Sequence, residues 1–199
     1  LGLAPGWVNI LAEQGYKRVH DASDVKMMVG GIPFKRPVGP LRYFMTWSLD
    51  GLLNEYRDDC EVLIDGEIQV VPGLSHLENI DFFMNKCKFD DDTLKSLLET
   101  SAEYETCKDD VVVVMVEVKN DSGLTWKREY VIKNDETFTA MQKSTAFSIS
   151  SVASLMAKGV FDNRAVERRG YVDNLPQVLE YSDVPGDEFT KILDSLLNK

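Results

Sequence analysis

Asp110-Val-Val-Val-Val-Met-Val-Glu-Val-Lys119 is the stretch on which the fold turns. Six of its first seven residues are apolar, and most are β-branched, so it reads as a strand covered on both faces. Asp121-Ser-Gly123 then supplies turn chemistry, and residues 124–133 alternate polar and apolar side chains as a partner strand does. A second hairpin is equally legible. Glu61-Val-Leu-Ile64 and Glu67-Ile-Gln-Val-Val71 flank Asp65-Gly66, a type I′ turn that needs positive φ at both central positions.

Working outward, residues 25–29 are short and β-favouring and run into Gly30-Gly31-Ile32-Pro33, which predicts a strand ending in a tight bend. Residues 34–40 read as loop and 41–47 as a strand; Ser48 caps a helix through Tyr56 with Asp50 in its first turn. Residues 75–86 place Leu77, Ile80, Phe83 and Met84 on one helical face, and Asp91 or Asp92 caps a further helix to Glu103. Residues 136–158 form a long helix rich in Ala, Ser and Thr that ends at Gly159. Its small side chains Ala140, Ser144, Ser148, Ser151 and Ala157 admit another backbone, from the core or from a second subunit. Pro185-Gly186 precedes an amphipathic helix over residues 187–197. Strands and helices occur in clusters, so the class is α+β, with a mixed, largely antiparallel sheet covered by helices. No linker-like run interrupts the chain, and residues 1–199 read as one domain.

The chain opens Leu1-Gly-Leu-Ala-Pro-Gly-Trp-Val-Asn-Ile-Leu-Ala12, a Gly/Pro turn feeding a helix over residues 5–19. Pro5 suits the first helical position, Gly6 admits a ligand or another backbone, and free N–H groups at such a turn make an anion site. A helix starting this abruptly reads as a piece of a larger protein. The 199 residues, 44% hydrophobic and 28% charged, suffice for a sizeable core. A net charge of −11 argues against a nucleic-acid partner, since Lys35-Arg36 and Arg168-Arg169 are isolated pairs. Cys60, Cys87 and Cys107 form no CxxC, and His20 and His76 fit no metal spacing, so reduced thiols, a cytoplasmic setting and no metal centre are expected. The acidic runs at residues 90–92 and 107–110 read as solvated caps and turns. No apolar run reaches the ~18 residues of a membrane span.

Several of these elements together resemble one enzyme family. Gly2-Leu-Ala-Pro-Gly6 before an apolar helix, Gly30-Gly31-Ile32-Pro33, Gly39-Pro-Leu-Arg-Tyr-Phe-Met-Thr-Trp-Ser48 with Gly51 following, and the Asp65-Gly66 hairpin before Val71-Pro72 are similar to the catalytic domain of the saccharopine dehydrogenase family. That family includes saccharopine reductases and lysine 6-dehydrogenases. The late helix from Met141 to Lys158, with its Ala-Lys-Gly ending, resembles the helix that follows the last hairpin in those enzymes. The resemblance implies an NAD(P)-dependent oxidoreductase acting on an amino-acid C–N bond. An upstream dinucleotide-binding domain holds NAD or NADP, and this domain binds substrate and forms a homodimer. The departures are informative too. No GxGxxG follows a strand, so this chain alone is expected to bind neither NAD nor NADP. A longer segment is expected near residues 72–77, which implies a missing internal stretch there.

Hydride transfer from an amine-bearing carbon needs a group that handles one proton and donors for the substrate carboxylate. By the resemblance, Ala4, Pro5 and Gly6 lie at the nicotinamide face. Pro5, Gly6, Gly30, Gly31, Arg42, Tyr43, Trp47, Ser48 and His76 face the substrate. No catalytic acid or base is assigned. Each has a plainer reading: Tyr43 and Trp47 as core aromatics, Arg42 as a surface strand residue, Ser48 as an N-cap, His76 as an exposed helix start. The competing functional class is a non-enzymatic dimerisation or binding module that keeps the fold without the chemistry.

Overall fold

A computed structural model describes residues 1–34, 49–64, 66–73, 88–103, 109–161, 171–172, 175–176 and 180–198. In chain order the elements are α1 (Trp7–Arg18), β1 (Ala22–Pro33), α2 (Leu49–Arg57), β2 (Cys60–Ile64), β3 (Glu67–Val71), α3 (Asp91–Glu103), β4 (Asp110–Asn120), β5 (Thr125–Lys133), α4 (Ala140–Ala157), the short β6 (Tyr171–Val172) and β7 (Leu175–Pro176), a 3-10 turn (Tyr181–Asp183) and α5 (Gly186–Leu197). The class is α+β. The chain divides into two compact units, one formed by Leu1–Phe34 with Lys108–Lys199 and the other by Lys35–Cys107.

In the first unit, β4 lies between β1 and β5 in an antiparallel sheet. Directly opposed residues share a face, so Val25, Met27 and Val29 of β1 join Val118, Val116 and Val114 of β4, and Trp126, Tyr130 and Ile132 of β5 complete the row. On this face Val112, Val114, Val116 and Val118 are fully buried beneath α1 and α4, and Phe189 and Leu193 of α5, which packs on those two helices, join the same core. Trp7, Val8, Ile10 and Leu11 recur at helical spacing and turn one stripe of α1 into the same core. Gly15 sets the depth of that packing: a Cβ there would lie 2.4 Å from the Trp126 ring and 2.6 Å from Val118. Trp7 meets Tyr130 edge to face, with ring centroids 4.8 Å apart. At the far side Gln14 Nε2 donates to Asp187 Oδ1 at 2.5 Å and Arg18 pairs with the same carboxylate, tying α1 to the start of α5.

In the second unit, β2 and β3 form the expected hairpin, closed by Ile64 opposite Glu67, and Gly66 has the positive φ of 83° that the turn requires. Among the described residues, Leu52 and Leu53 of α2 and Leu94 and Leu98 of α3 are buried. Lys95 Nζ reaches Asp50 Oδ1 at 2.5 Å.

Several expectations need correction. Gly30 and Gly31 form no bend: β1 runs through both, opposite Val113 and Val112, because β4 offers an unbroken ladder to Pro33. Pro5 is not the first helical residue; it follows a cis Ala4–Pro5 bond, and the helix begins at Trp7 with Gly6 as N-cap. The cap of α3 is Asp90, whose Oδ1 accepts Thr93 N at 2.8 Å, and not Asp91 or Asp92. The late helix begins at Ala140, since Asp135 Oδ1 accepts from Thr137 N and Phe138 N in a turn before it, and Thr139 with Gln142 forms a capping box. Its close at Gly159, φ 68°, is as expected. Ala140, Ser144, Ser148 and Ser151 face this unit's own core, so the small-residue stripe serves internal packing there; Ala157 is exposed. β4 is buried on one face and only half-buried on the other. The strand expected over residues 41–47 and the helix expected over 75–86 lie outside the described residues.

Candidate functional site

The Gly2–Gly6 turn is built around its own backbone. Gly2 N donates to Pro5 O at 2.9 Å and Trp7 N returns to Gly2 O at 2.9 Å. A side chain at Gly6 would set its Cβ 2.2 Å from Gly2 O, so the close approach that glycine permits here is made by Gly2. Gly6 N donates to Asn9 Oδ1 at 2.8 Å, Val8 N to Leu3 O at 3.2 Å, and Pro5 has no N–H. The donors expected to make an anion site at Gly6 and Trp7 are therefore occupied, and the turn presents exposed Ala4 and Pro5 outward.

Gly31 lies on the helix-covered side of β1, and a Cβ there would stand 3.0 Å from Met141 Cε. A Cβ on Gly2 would stand 3.5 Å from Thr145 Cγ2. Met141 and Thr145 are one helical turn apart on the same face of α4, so the opening turn and Gly31 line one stretch of that helix. Gly30 points to the opposite side of the sheet, where a Cβ would meet nothing within 4 Å.

The start of α4 is fixed by a residue that sequence reading passes over as a solvated turn. Asp110 is 2% exposed, and its carboxylate accepts Ala140 N at 2.5 Å and Met141 N at 3.0 Å. A carboxylate at a helix N-terminus satisfies orphan donors and meets the positive end of the dipole. Asp110 thereby positions Met141 against Gly31. The only sequence signal is an acidic residue immediately before an apolar run.

Arg42, Tyr43, Trp47, Ser48 and His76 lie outside the described residues. A separate cleft of about 290 Å³ opens between α1 and β1, lined by Ala12, Glu13, Tyr16, Val25, Met27 and Tyr181 among others. Its walls are apolar, and Glu13 is held by Lys17 at 3.2 Å. Tyr130 is partly buried against the core, and burial, and next the nearby Asp194 carboxylate, push its phenol up to about 12. Among the described residues, no group of three or more His, Cys, Asp and Glu is placed to hold a metal ion, and no helix is long and apolar enough to cross a membrane.

A dinucleotide pyrophosphate needs a strand, a glycine turn and a helix N-terminus with free N–H groups. Among the described residues the glycine pair sits inside an antiparallel strand, and the Gly2–Gly6 turn has its donors occupied at Gly6 and Trp7. These residues do not fit that group. Residues 2–91 match the family model described as the saccharopine dehydrogenase C-terminal domain. The matched stretch includes the opening turn, α1 and all of β1.

Proposed function

We propose, from the membership of residues 2–91 in the saccharopine dehydrogenase C-terminal domain family, that this chain is the substrate-binding and dimerisation part of an NAD(P)-dependent oxidoreductase. The reaction in this reading is hydride transfer at the C–N bond of an amino acid of the lysine or saccharopine type, in a cytoplasmic homodimeric enzyme. The nicotinamide cofactor is held outside the described residues. The observation that carries the reading is the family match together with the convergence of its two glycine features on Met141 and Thr145.

The opening turn contributes shape: exposed Ala4 and Pro5 form an apolar surface beside the nicotinamide, with Gly6 holding the turn closed. Gly31 lets β1 pass close to Met141 beside the substrate, since a Cβ there would stand 3.0 Å from Met141 Cε, and Gly30 keeps the strand slim at the same level. Arg42, Tyr43, Trp47, Ser48 and His76 belong to the same proposal as substrate-facing residues, Arg42 suiting a carboxylate by charge. No residue is assigned as the proton-handling group.

Gly31→Val in the intact enzyme tests it. Displacing Met141 from β1 is expected to lower kcat/KM for the amino-acid substrate at least about tenfold, roughly 1.4 kcal/mol, with the fold retained. An unchanged ratio would move the substrate away from β1. Calorimetry on the isolated chain is a companion test: a stoichiometric micromolar site for NAD or NADP would show that the cofactor is held here after all.

A further inference from the structure

We propose that Asp110 is a positioning residue for the reaction, holding Met141 where the amino-acid substrate meets it, an inference that rests on the substrate site proposed above. Two sets of bonds meet at this residue. Its backbone is fixed in the sheet: Asp110 stands opposite Pro33 at the end of β1, Phe34 N donates to Asp109 O at 2.9 Å, and Asn134 N donates to Asp110 O at 3.3 Å. Its side chain leaves the sheet for the helix, where the two carboxylate oxygens accept Ala140 N at 2.5 Å and Met141 N at 3.0 Å. The strand that carries Gly31 and the helix that carries Met141 are thereby located by one residue.

These bonds are not needed to start the helix. Thr139 Oγ1 accepts Gln142 N at 3.0 Å, Gln142 Oε1 accepts Thr139 N at 3.0 Å, and Thr139 O accepts Lys143 N at 3.0 Å, so α4 is already capped by its own residues. A carboxylate 30 residues away adds location. Hydrogen bonds to an ionised acceptor are roughly twice as strong as neutral ones, and Asp110 is 2% exposed, so water competes little. Asp110 and Thr139 together occupy the N–H groups of residues 140–143, and the helix start keeps no free donor for a substrate carboxylate. Asp110 therefore acts through Met141.

Placement matters there because the side chain has little room. Gly31 shares the helix-covered face with Asp110, about 6.6 Å along the sheet and one strand, about 4.8 Å, across, and a Cβ at Gly31 would stand 3.0 Å from Met141 Cε. Methionine is unbranched with three rotatable bonds, so the end of its side chain depends on where its backbone is anchored. A misplacement of about 1 Å in a group that positions substrate costs on the order of 100-fold in rate.

Steady-state kinetics of the intact enzyme test this, with L-lysine and L-saccharopine as the amino acids and NAD or NADP as the dinucleotide. The variants are Asp110→Asn, Met141→Ala, the two combined, and Thr139→Ala as a control that loosens the same helix end locally. Circular dichroism checks folding, and Asp110→Glu, which keeps both acceptors at a longer reach, replaces Asp110→Asn if that variant does not fold. Asp110→Asn is expected to raise KM for the amino acid at least about fivefold and leave KM for the dinucleotide unchanged. Met141→Ala should lower kcat/KM for the amino acid, and adding Asp110→Asn to it should change nothing further, because the two act as one unit. Thr139→Ala should lower stability without moving either KM. A merely structural Asp110 would lower apparent kcat alone and add its loss to that of Met141→Ala, which overturns the proposal. So does a Thr139→Ala variant that matches Asp110→Asn, or an Asp110→Asn variant with wild-type kinetics; in each case an effect of Met141→Ala leaves the substrate site standing. If Met141→Ala leaves kcat/KM unchanged, or the wild type turns over neither amino acid, the site and the proposal fall together.

Discussion

Asp110, the first residue of β4, holds the N-terminus of α4 by accepting Met141 N at 3.0 Å, with Ala140 N on its other oxygen at 2.5 Å. One buried side chain thus couples the central strand to the helix that lines Gly31. Asp110→Ala removes both acceptors and leaves two buried donors unpaired, which is expected to cost about 2–4 kcal/mol. Urea unfolding measures it, and a loss under about 1 kcal/mol would mean that water or Thr139 replaces the carboxylate. Asp110→Asn retains one acceptor and should fall between Ala and wild type.

The parts of the fold legible in the sequence are those fixed by local chemistry. Asp65-Gly66 places the β2–β3 hairpin because few residues accept positive φ, and Gly159 ends α4 for the same reason. The Val-rich run announces β4, and the turn after it announces the partner β5, but neither announces β1 on the other side. Gly30-Gly31 reads locally as a bend, yet β4 pairs with β1 straight through it, a long-range effect that no window of sequence contains. The candidate site is half legible: the glycines draw attention, while Met141 and Thr145 reach them only through tertiary packing. Asp110 escapes sequence reading because an acid beside a turn is usually solvated, and only the structure shows it buried under a helix.

Asp135 titrates abnormally, with a sign that can be checked. A contact with Lys143 Nζ at 2.5 Å, and then N–H groups of Phe138 and Thr137, lower its carboxyl from 3.8 to about 2. The folded value lies below the unfolded one, so this contribution is complete above about pH 4 and is lost as pH falls through about 2. Carboxyl NMR titration should place Asp135 near 2 in the wild type and higher in Lys143→Met. An equal value in both would assign the shift to the backbone donors alone.

Gly15→Ala sets two effects against each other. Alanine gains about 1 kcal/mol of helix propensity in α1. Its methyl would lie 2.4 Å from Trp126 Cε3 and 2.6 Å from Val118 Cγ2, in a core that includes fully buried Val118. Overpacking of that kind costs about 1–3 kcal/mol, and the distances place it at the upper end. The expected net change is a destabilisation of about 1–2 kcal/mol. A higher melting temperature for the variant would show that α1 can lift from the sheet without loss.

Ser148 offers the opposite case, a buried polar atom whose removal should help. Its side chain is fully buried on α4, and Oγ has no hydrogen-bond partner among the described residues. Its neighbours on the stripe differ: Ser144 Oγ donates to Met141 O at 3.0 Å and Ser151 Oγ to Phe147 O at 2.7 Å. A hydroxyl taken from water without a partner costs about 1–3 kcal/mol, and alanine keeps the Cβ while improving helix propensity. Ser148→Ala should therefore stabilise the chain by about 1 kcal/mol, read as a higher urea midpoint at unchanged slope. Ser151→Ala, which gives up a satisfied bond, should be neutral or mildly destabilising. Ser148→Val adds volume where the helix meets its own sheet and should destabilise by more than about 1 kcal/mol. If Ser148→Ala instead weakens the fold, the hydroxyl has a partner such as a buried water, and the polar atom belongs to the core's design.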